Sequence, residues 1–158
     1  MDPNSPIDGR FVVTATDAES LMLRAVASAQ ILTLVDPPDL PRWTVLDATL
    51  VPADGLGVTV RIGTLREHFR VDIVSQDERP TARSRETAAS LTAGASSFLP
   101  RADAGGTDVI ALADTDHTEA RAAMAADVAS LVNRAARLDV RRVELRSAPG
   151  LLSVRYLP

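Results

Sequence analysis

The chain contains no cysteine and no lysine, and only three Phe, one Trp and one Tyr in 158 residues. Without cysteine there is no thiolate nucleophile, Cys-ligated zinc, iron–sulfur cluster or disulfide. Without lysine there is no Schiff-base amine, no phosphate-loop lysine and no Ser–Lys dyad. All 17 basic residues are Arg. That usage, with heavy Ala and Val and almost no Asn or Gln, points to the GC-rich genome of a bacterium. Histidine is scarce as well: His68 and His117 are the only two. A metal site would rest on carboxylates, so neither a metal nor a cofactor is expected.

Long apolar runs are also missing. Residues 20–35 form the most apolar stretch, and Arg24 interrupts it, which is too short and too costly for a membrane span. The start, Met1-Asp2-Pro3-Asn4-Ser5-Pro6, has no basic segment ahead of an apolar one. No signal peptide is expected, and the reading is a cytoplasmic protein without a membrane partner.

What is present is ordinary for a folded chain: 46% apolar and 24% charged residues. A chain of this length buries roughly 70% of the surface its unfolded form exposes, so a single domain over 1–158 needs no staple. The net charge of −4 weighs against a general polyanion binder while leaving a local basic face open.

Along the chain, Phe11 to Ala15 reads as a short strand, and Thr16-Asp17-Ala18-Glu19 as a capping box. A helix is expected from Asp17 to Val35, stopped by Asp36-Pro37-Pro38. Apolar nearly all round, it offers Leu21, Met22, Ala25 and Leu32 as candidate interface residues. Trp43 to Val51 and Leu56 to Ile62 form a hairpin about Pro52-Ala53-Asp54-Gly55, with a third strand from Leu65 to Val74. Ser84 opens a helix over 84–99, with Ala88, Leu91, Ala95 and Phe98 at helical spacing. Gly105-Gly106 marks a flexible connection, and Val109 to Ala113 a buried strand. Asp116-His117-Thr118-Glu119 caps a helix burying Ala120, Met124, Val128, Leu131, Ala135 and Leu138. Val140 to Arg146 and Leu151 to Leu157 close the chain as a hairpin.

The order strand, capping box, helix, hairpin therefore occurs twice, in pseudo-repeat halves 11–74 and 108–158 joined by the helix at 84–99. In element order this resembles the paired modules of glyoxalase-like families, although the His and Glu metal ligands of that plan are absent. The expected fold class is α+β: an antiparallel or mixed sheet of about six or seven strands with three helices on one face.

Candidate chemistry is sparse. Val109 to Thr118, V-I-A-L-A-D-T-D-H-T, resembles the strand plus D-x-D-x-T signature of haloacid-dehalogenase-type phosphotransferases. The resemblance implies Asp114 as nucleophile and Asp116 as acid/base. Those enzymes also need a downstream base and further carboxylates and strands, yet only 40 residues follow Thr118 and none is Lys. On local chemistry alone Asp116 is a helix N-cap. His68, between Arg66 and Arg70 with Asp72 beyond, is the candidate ligand-binding group on a wet strand face; two arginines favour a neutral imidazole or a bound anion. Arg61, Arg66, Arg70, Arg142, Arg146 and Arg155 all fall on polar strand positions, a surface fit for an anionic ligand, RNA or an acidic partner segment. Asp72 and Glu144 share those faces, and no aromatic is available there for base stacking, so nucleic acid is not the expected partner. No serine lies in a nucleophile elbow, and no glycine-rich loop precedes a helix.

The reading that follows is a non-catalytic protein-interaction or assembly module, a homodimer or a subunit of a larger complex. Its alternatives are an anionic-ligand binder or small enzyme built on His68 and its arginines, and an adaptor or chaperone of a secretion or phage-like apparatus.

Overall fold

The computed structural model describes residues 4–113 and 116–158. They fall into two compact units, one ending at Val71 and one running from Asp72 to Pro158.

The first unit is all strand. β1 (Ile7–Thr16), β2 (Ser20–Ala25), β3 (Ile31–Val35), β4 (Thr44–Pro52) and β5 (Thr59–Arg70) close a barrel in the order β1-β2-β3-β5-β4. Every pairing is antiparallel except β3 with β5. A five-stranded Greek-key barrel of this kind is the architecture of the OB fold. Alternation fills it: Phe11 and Val13, Leu21, Leu23 and Ala25, Leu32 and Leu34, Leu46, Ala48 and Leu50, and Val60 all point inward. Leu40, from the β3–β4 connection, closes the core. β5 bends around the barrel because Gly63 and Arg66 are extra residues opposite β4, where the register shifts. A Cβ at Gly63 would stand 2.7 Å from Val51 Cγ2, so the bend needs glycine.

The expected helix over 17–35 is therefore two strands. Leu21, Leu23, Ala25, Leu32 and Leu34 recur with period two, and the turn between them carries no Gly, Pro or Asn to announce it. Ala29 makes that turn at φ 62°, donating its N–H to the Ala25 carbonyl at 2.9 Å. The first capping box is a β-turn device instead. The Asp17 carboxylate accepts the N–H groups of Glu19 and Ser20 at 2.8 Å and the Ser20 hydroxyl at 3.0 Å. The strands expected at 56–62 and 65–74 are one long strand, β5, followed by a short one in the next unit.

The second unit contains β6 (Asp72–Ser75), α1 (Ala82–Ala89), β7 (Ser96–Pro100), β8 (Gly106–Ala111), α2 (His117–Ala126), α3 (Val128–Leu138), β9 (Arg142–Ala148) and β10 (Leu151–Leu157). Its sheet runs β6-β9-β10-β8-β7, with β6 and β9 parallel and the rest antiparallel. The described residues are thus α+β, with three helices and two mixed five-stranded sheets, in place of one sheet of six or seven strands. Nor do the helices share a face. Arg134 of α3 binds Asp108, whereas Ser84 of α1 shares a cleft with the neighbouring Thr107, which strand alternation turns to the opposite side. Covered on both sides, β10 is buried at Leu151, Leu152, Ser153, Val154 and Tyr156.

Three local expectations change here. The helix placed at 84–99 ends at Ala89, because Leu91, Ala95 and Phe98 belong to a turn and to β7. The long helix after Asp116 divides at Asp127, whose carboxylate accepts the Ser130 N–H and caps α3. Gly105-Gly106 is a tight crossing instead of a flexible joint. A Cβ on Gly106 would lie 2.5 Å from the Leu99 carbonyl oxygen, and Gly105 takes φ 74° against the Tyr156 backbone. With every helix in the second unit, the strand–helix–hairpin order is not repeated, and the glyoxalase-like plan has no structural basis.

Candidate functional site

Cross-strand register gathers the charges of the second unit. β9 and β10 pair Glu144 opposite Arg155, and Arg142 and Arg146 stand two residues to either side of Glu144 on the same face. Glu144 is only 8% exposed. Its Oε1 accepts from Arg155 Nη1 at 2.7 Å, and its Oε2 accepts from Arg142 Nε at 3.1 Å and Gln76 Nε2 at 3.2 Å. Arg146 Nη2 lies 3.6 Å from Oε1 and pairs outward with Glu78 at 3.0 Å. Arg142 pairs outward with Asp72 at 2.6 Å. One buried carboxylate thus anchors three guanidinium groups. Burial first, then the charge of Arg146, hold the Arg155 guanidinium below its usual pKa, while Glu144 opposes them.

Arg155 also lines a cleft of about 420 Å³ with Arg83 and Arg101. Leu99 and Pro100 form an apolar wall, and Thr107 contributes a hydroxyl. The first turn of α1 opens here, with the Thr81 hydroxyl accepting the Ser84 N–H at 3.2 Å, so the positive end of that helix adds to the field. Among the described residues the single acid in the lining is Asp103, paired with Arg101 Nε at 3.2 Å. The Ala104 N–H, and then Arg101, hold the Asp103 carboxyl below its ordinary pKa. With Asp103 on Arg101 and Glu144 on Arg155, the three guanidiniums keep one positive charge in excess, which favours an anion.

The residues singled out in the sequence lie elsewhere. His68 and Arg70 are exposed on β5. Arg66 is held by Asp47 at 2.8 Å, Asp8 at 2.7 Å and the Thr49 hydroxyl at 2.8 Å, and Asp72 belongs to the second unit, on Arg142. Arg66 and Asp72 thus serve different charge clusters. Arg61 is paired with Asp36. Leu21, Ala25 and Leu32 lie in the barrel core, with only Met22 turned outward, where the Thr33 hydroxyl meets its sulfur at 3.6 Å. Asp116 is the N-cap of α2, accepting the Thr118 N–H at 2.9 Å, and Asp114 lies outside the described residues. His117 Nδ1 and Ser147 Oγ share a hydrogen bond of 2.8 Å that ties α2 to β9; Ser147 is buried and closed to a substrate. Among the described residues no group of three or more His, Asp or Glu is placed to hold a metal, and no helix is long and apolar enough to cross a membrane.

Sequence reasoning found Arg155 but missed Arg83, Arg101 and Thr107. The helix expected to open at Ser84 opens at Ala82 instead, because the Thr81 hydroxyl is the cap that accepts the Ser84 N–H, and an eight-residue helix followed by an edge strand leaves no pattern that brings 83, 101 and 155 together. OB barrels bind oligonucleotides and oligosaccharides along β2 and β3 and the loops beside them. Here that face presents Met22, Arg24, Ile31 and Thr33, without an aromatic.

The chain belongs to a family of unknown function, DUF5812, whose model matches residues 7–147 and so runs through both units. No curated protein matches it. A solved structure of a protein of unknown function, DUF1344 from Bacteroides vulgatus, is 11% identical, with 72% of this chain and 56% of that chain covered at a TM-score of 0.31. This chain therefore spans little more than half the length of that protein.

Proposed function

We propose that this protein is a non-catalytic binding module whose second unit holds an anionic ligand through Arg83, Arg101 and Arg155. The observation that carries the reading is the charge balance of the cleft: Arg83, Arg101 and Arg155 stand against Asp103 in the lining and Glu144 behind Arg155, which leaves one positive charge in excess. Its volume falls within the roughly 300–1,000 Å³ typical of small-ligand sites. Guanidinium forks match phosphate and carboxylate oxygens two at a time, and Leu99 and Pro100 give the apolar part of a ligand a wall. Glu144 fixes Arg155 from behind without closing the cleft, which orders the cation before the ligand arrives. Calorimetric titration with sodium pyrophosphate tests this. The wild type is expected to bind one equivalent. The Arg83→Ala, Arg101→Ala double variant is expected to lose about tenfold or more, since each charge-assisted hydrogen bond is worth about 1.5–3 kcal/mol. Arg66→Ala in the barrel leaves binding unchanged. Absence of wild-type binding to both pyrophosphate and citrate overturns the reading.

The assembly reading retains one observation of its own. Ile31, Val51, Leu56 and Val58 are exposed on the barrel, with Leu56 80% exposed on a loop that the Asp54 carboxylate stiffens by accepting the Leu56 and Gly57 N–H groups. A protein partner would bury these side chains. Leu56→Asp would then change the mass of the native assembly; an unchanged monomeric mass in both proteins counts against self-association.

A further inference from the structure

α1 has a second cleft on its opposite flank. It measures about 450 Å³ and is lined by Arg79, Arg85, Ala88 and the β9–β10 turn at Ala148 to Leu151. No acid lines it. Arg83 and Arg85 project into the two clefts from one helix, about 200° apart at 3.6 residues per turn. Together the clefts collect Arg79, Arg83, Arg85, Arg101 and Arg155 against Asp103 in the lining and Glu144 behind Arg155, in a chain whose net charge is −4. Such local segregation of positive charge against the overall sign is the footprint of a polyanion. Neither cleft is lined by an aromatic side chain. Contact therefore runs through phosphates, with no platform for stacked bases.

We infer that the ligand is a linear phosphate chain that crosses α1 and places phosphates in both clefts, an inference that rests on the anion reading of the first cleft. The helix is about 10 Å wide, so pyrophosphate reaches one cleft only and several linked phosphates are needed to span both. Glu86 lies on the outer ridge between the clefts and is exposed, so it opposes the crossing chain. Inorganic polyphosphate and single-stranded nucleic acid both supply this chemistry.

Fluorescence anisotropy with end-labelled polyphosphate and end-labelled oligouridylate, matched for phosphate number, tests the inference beside pyrophosphate calorimetry. At least one of the two chains is expected to bind ten times more tightly than pyrophosphate, and the tighter of them identifies the source. Arg79→Ala, Arg85→Ala is expected to weaken chain binding tenfold and to leave pyrophosphate binding at the first cleft, read from the amide shifts of Arg101 to Thr107, unchanged. The same variant should lower the salt slope by about 1.4, at roughly 0.7 per phosphate contact. Glu86→Gln, on an exposed face where folding is not at stake, should tighten chain binding. If pyrophosphate binds but neither chain binds more tightly, or if Arg79→Ala, Arg85→Ala binds chains as the wild type does, the chain inference fails and the anion reading stands. If pyrophosphate itself does not bind, the chain inference fails, and if citrate does not bind either, the anion reading fails with it.

Discussion

Replacing Glu144 by Ala removes the carboxylate that Arg142, Arg146 and Arg155 share. Arg142 keeps Asp72, and Arg146 keeps Glu78 and the Gln76 side-chain oxygen. Arg155 loses its 2.7 Å bond to Glu144 and is left facing Arg146, with the two side chains 20% and 13% exposed. Breaking a buried ion pair costs about 3–5 kcal/mol. Residual solvent contact and the surviving outer pairs set the expectation at the lower end, about 3 kcal/mol. In a unit of this size each kcal/mol moves Tm by roughly 4–8 °C, so the transition of the second unit should fall by about 12–24 °C. Glu144→Gln keeps an acceptor for Arg155 and should lose about half as much. Differential scanning calorimetry of the three proteins reads this directly. Sulfate should restore part of the loss in Glu144→Ala, because an anion bound to the native state alone stabilises it by mass action. A Glu144→Ala transition within about 0.5 kcal/mol of wild type would refute the argument that this carboxylate holds the arginines in place.

Leu23→Ala should destabilise the barrel by about 2–5 kcal/mol, because Leu23 is fully buried, whereas Met22→Gln on the outer face should change urea unfolding little. The reverse ranking would contradict the strand register. Gly106→Ala should force β7 away from β8 and cost about 1–3 kcal/mol, seen as faster amide exchange at Ser97 and Leu99. Unchanged exchange would contradict the close approach. The N–H groups of Glu19 and Ser20 hold the Asp17 carboxyl below its ordinary pKa, so the unfolded chain binds more protons at this site. Its contribution is complete above about pH 4 and is lost as pH falls through the native pKa, and Asp17→Asn should flatten the acid limb of the stability curve. An acid limb as steep as wild type would contradict that assignment.

How much of this was legible in the residues follows from which signals are local. The hairpin about Pro52-Ala53-Asp54-Gly55 and the one about Ala148-Pro149-Gly150 carry turn chemistry in their own sequence, and both are present, as is the Asp116 cap. The β2–β3 hairpin was hidden because Ala29 makes its turn without a turn residue, and because Val26 and Ile31, next to the alternating leucines, also satisfy a helical apolar face. The split at Asp127 was hidden by an apolar stripe whose spacing passes through the break. The Glu144 cluster was partly readable, since alternation put Arg142, Glu144 and Arg146 on one face of β9. The cleft was not, because it joins a helix start, the turn after an edge strand and a central strand. Only the pairing of β8 with β10 makes these neighbours.

The most direct test of the central claim is an amide-shift titration of the isotopically labelled full chain with sodium pyrophosphate at low ionic strength. Saturable shifts are expected at Thr81 to Ser84, Arg101 to Thr107 and Arg155, with the barrel silent. Shifts confined to the barrel strands, or no saturable shift at all, would contradict the account.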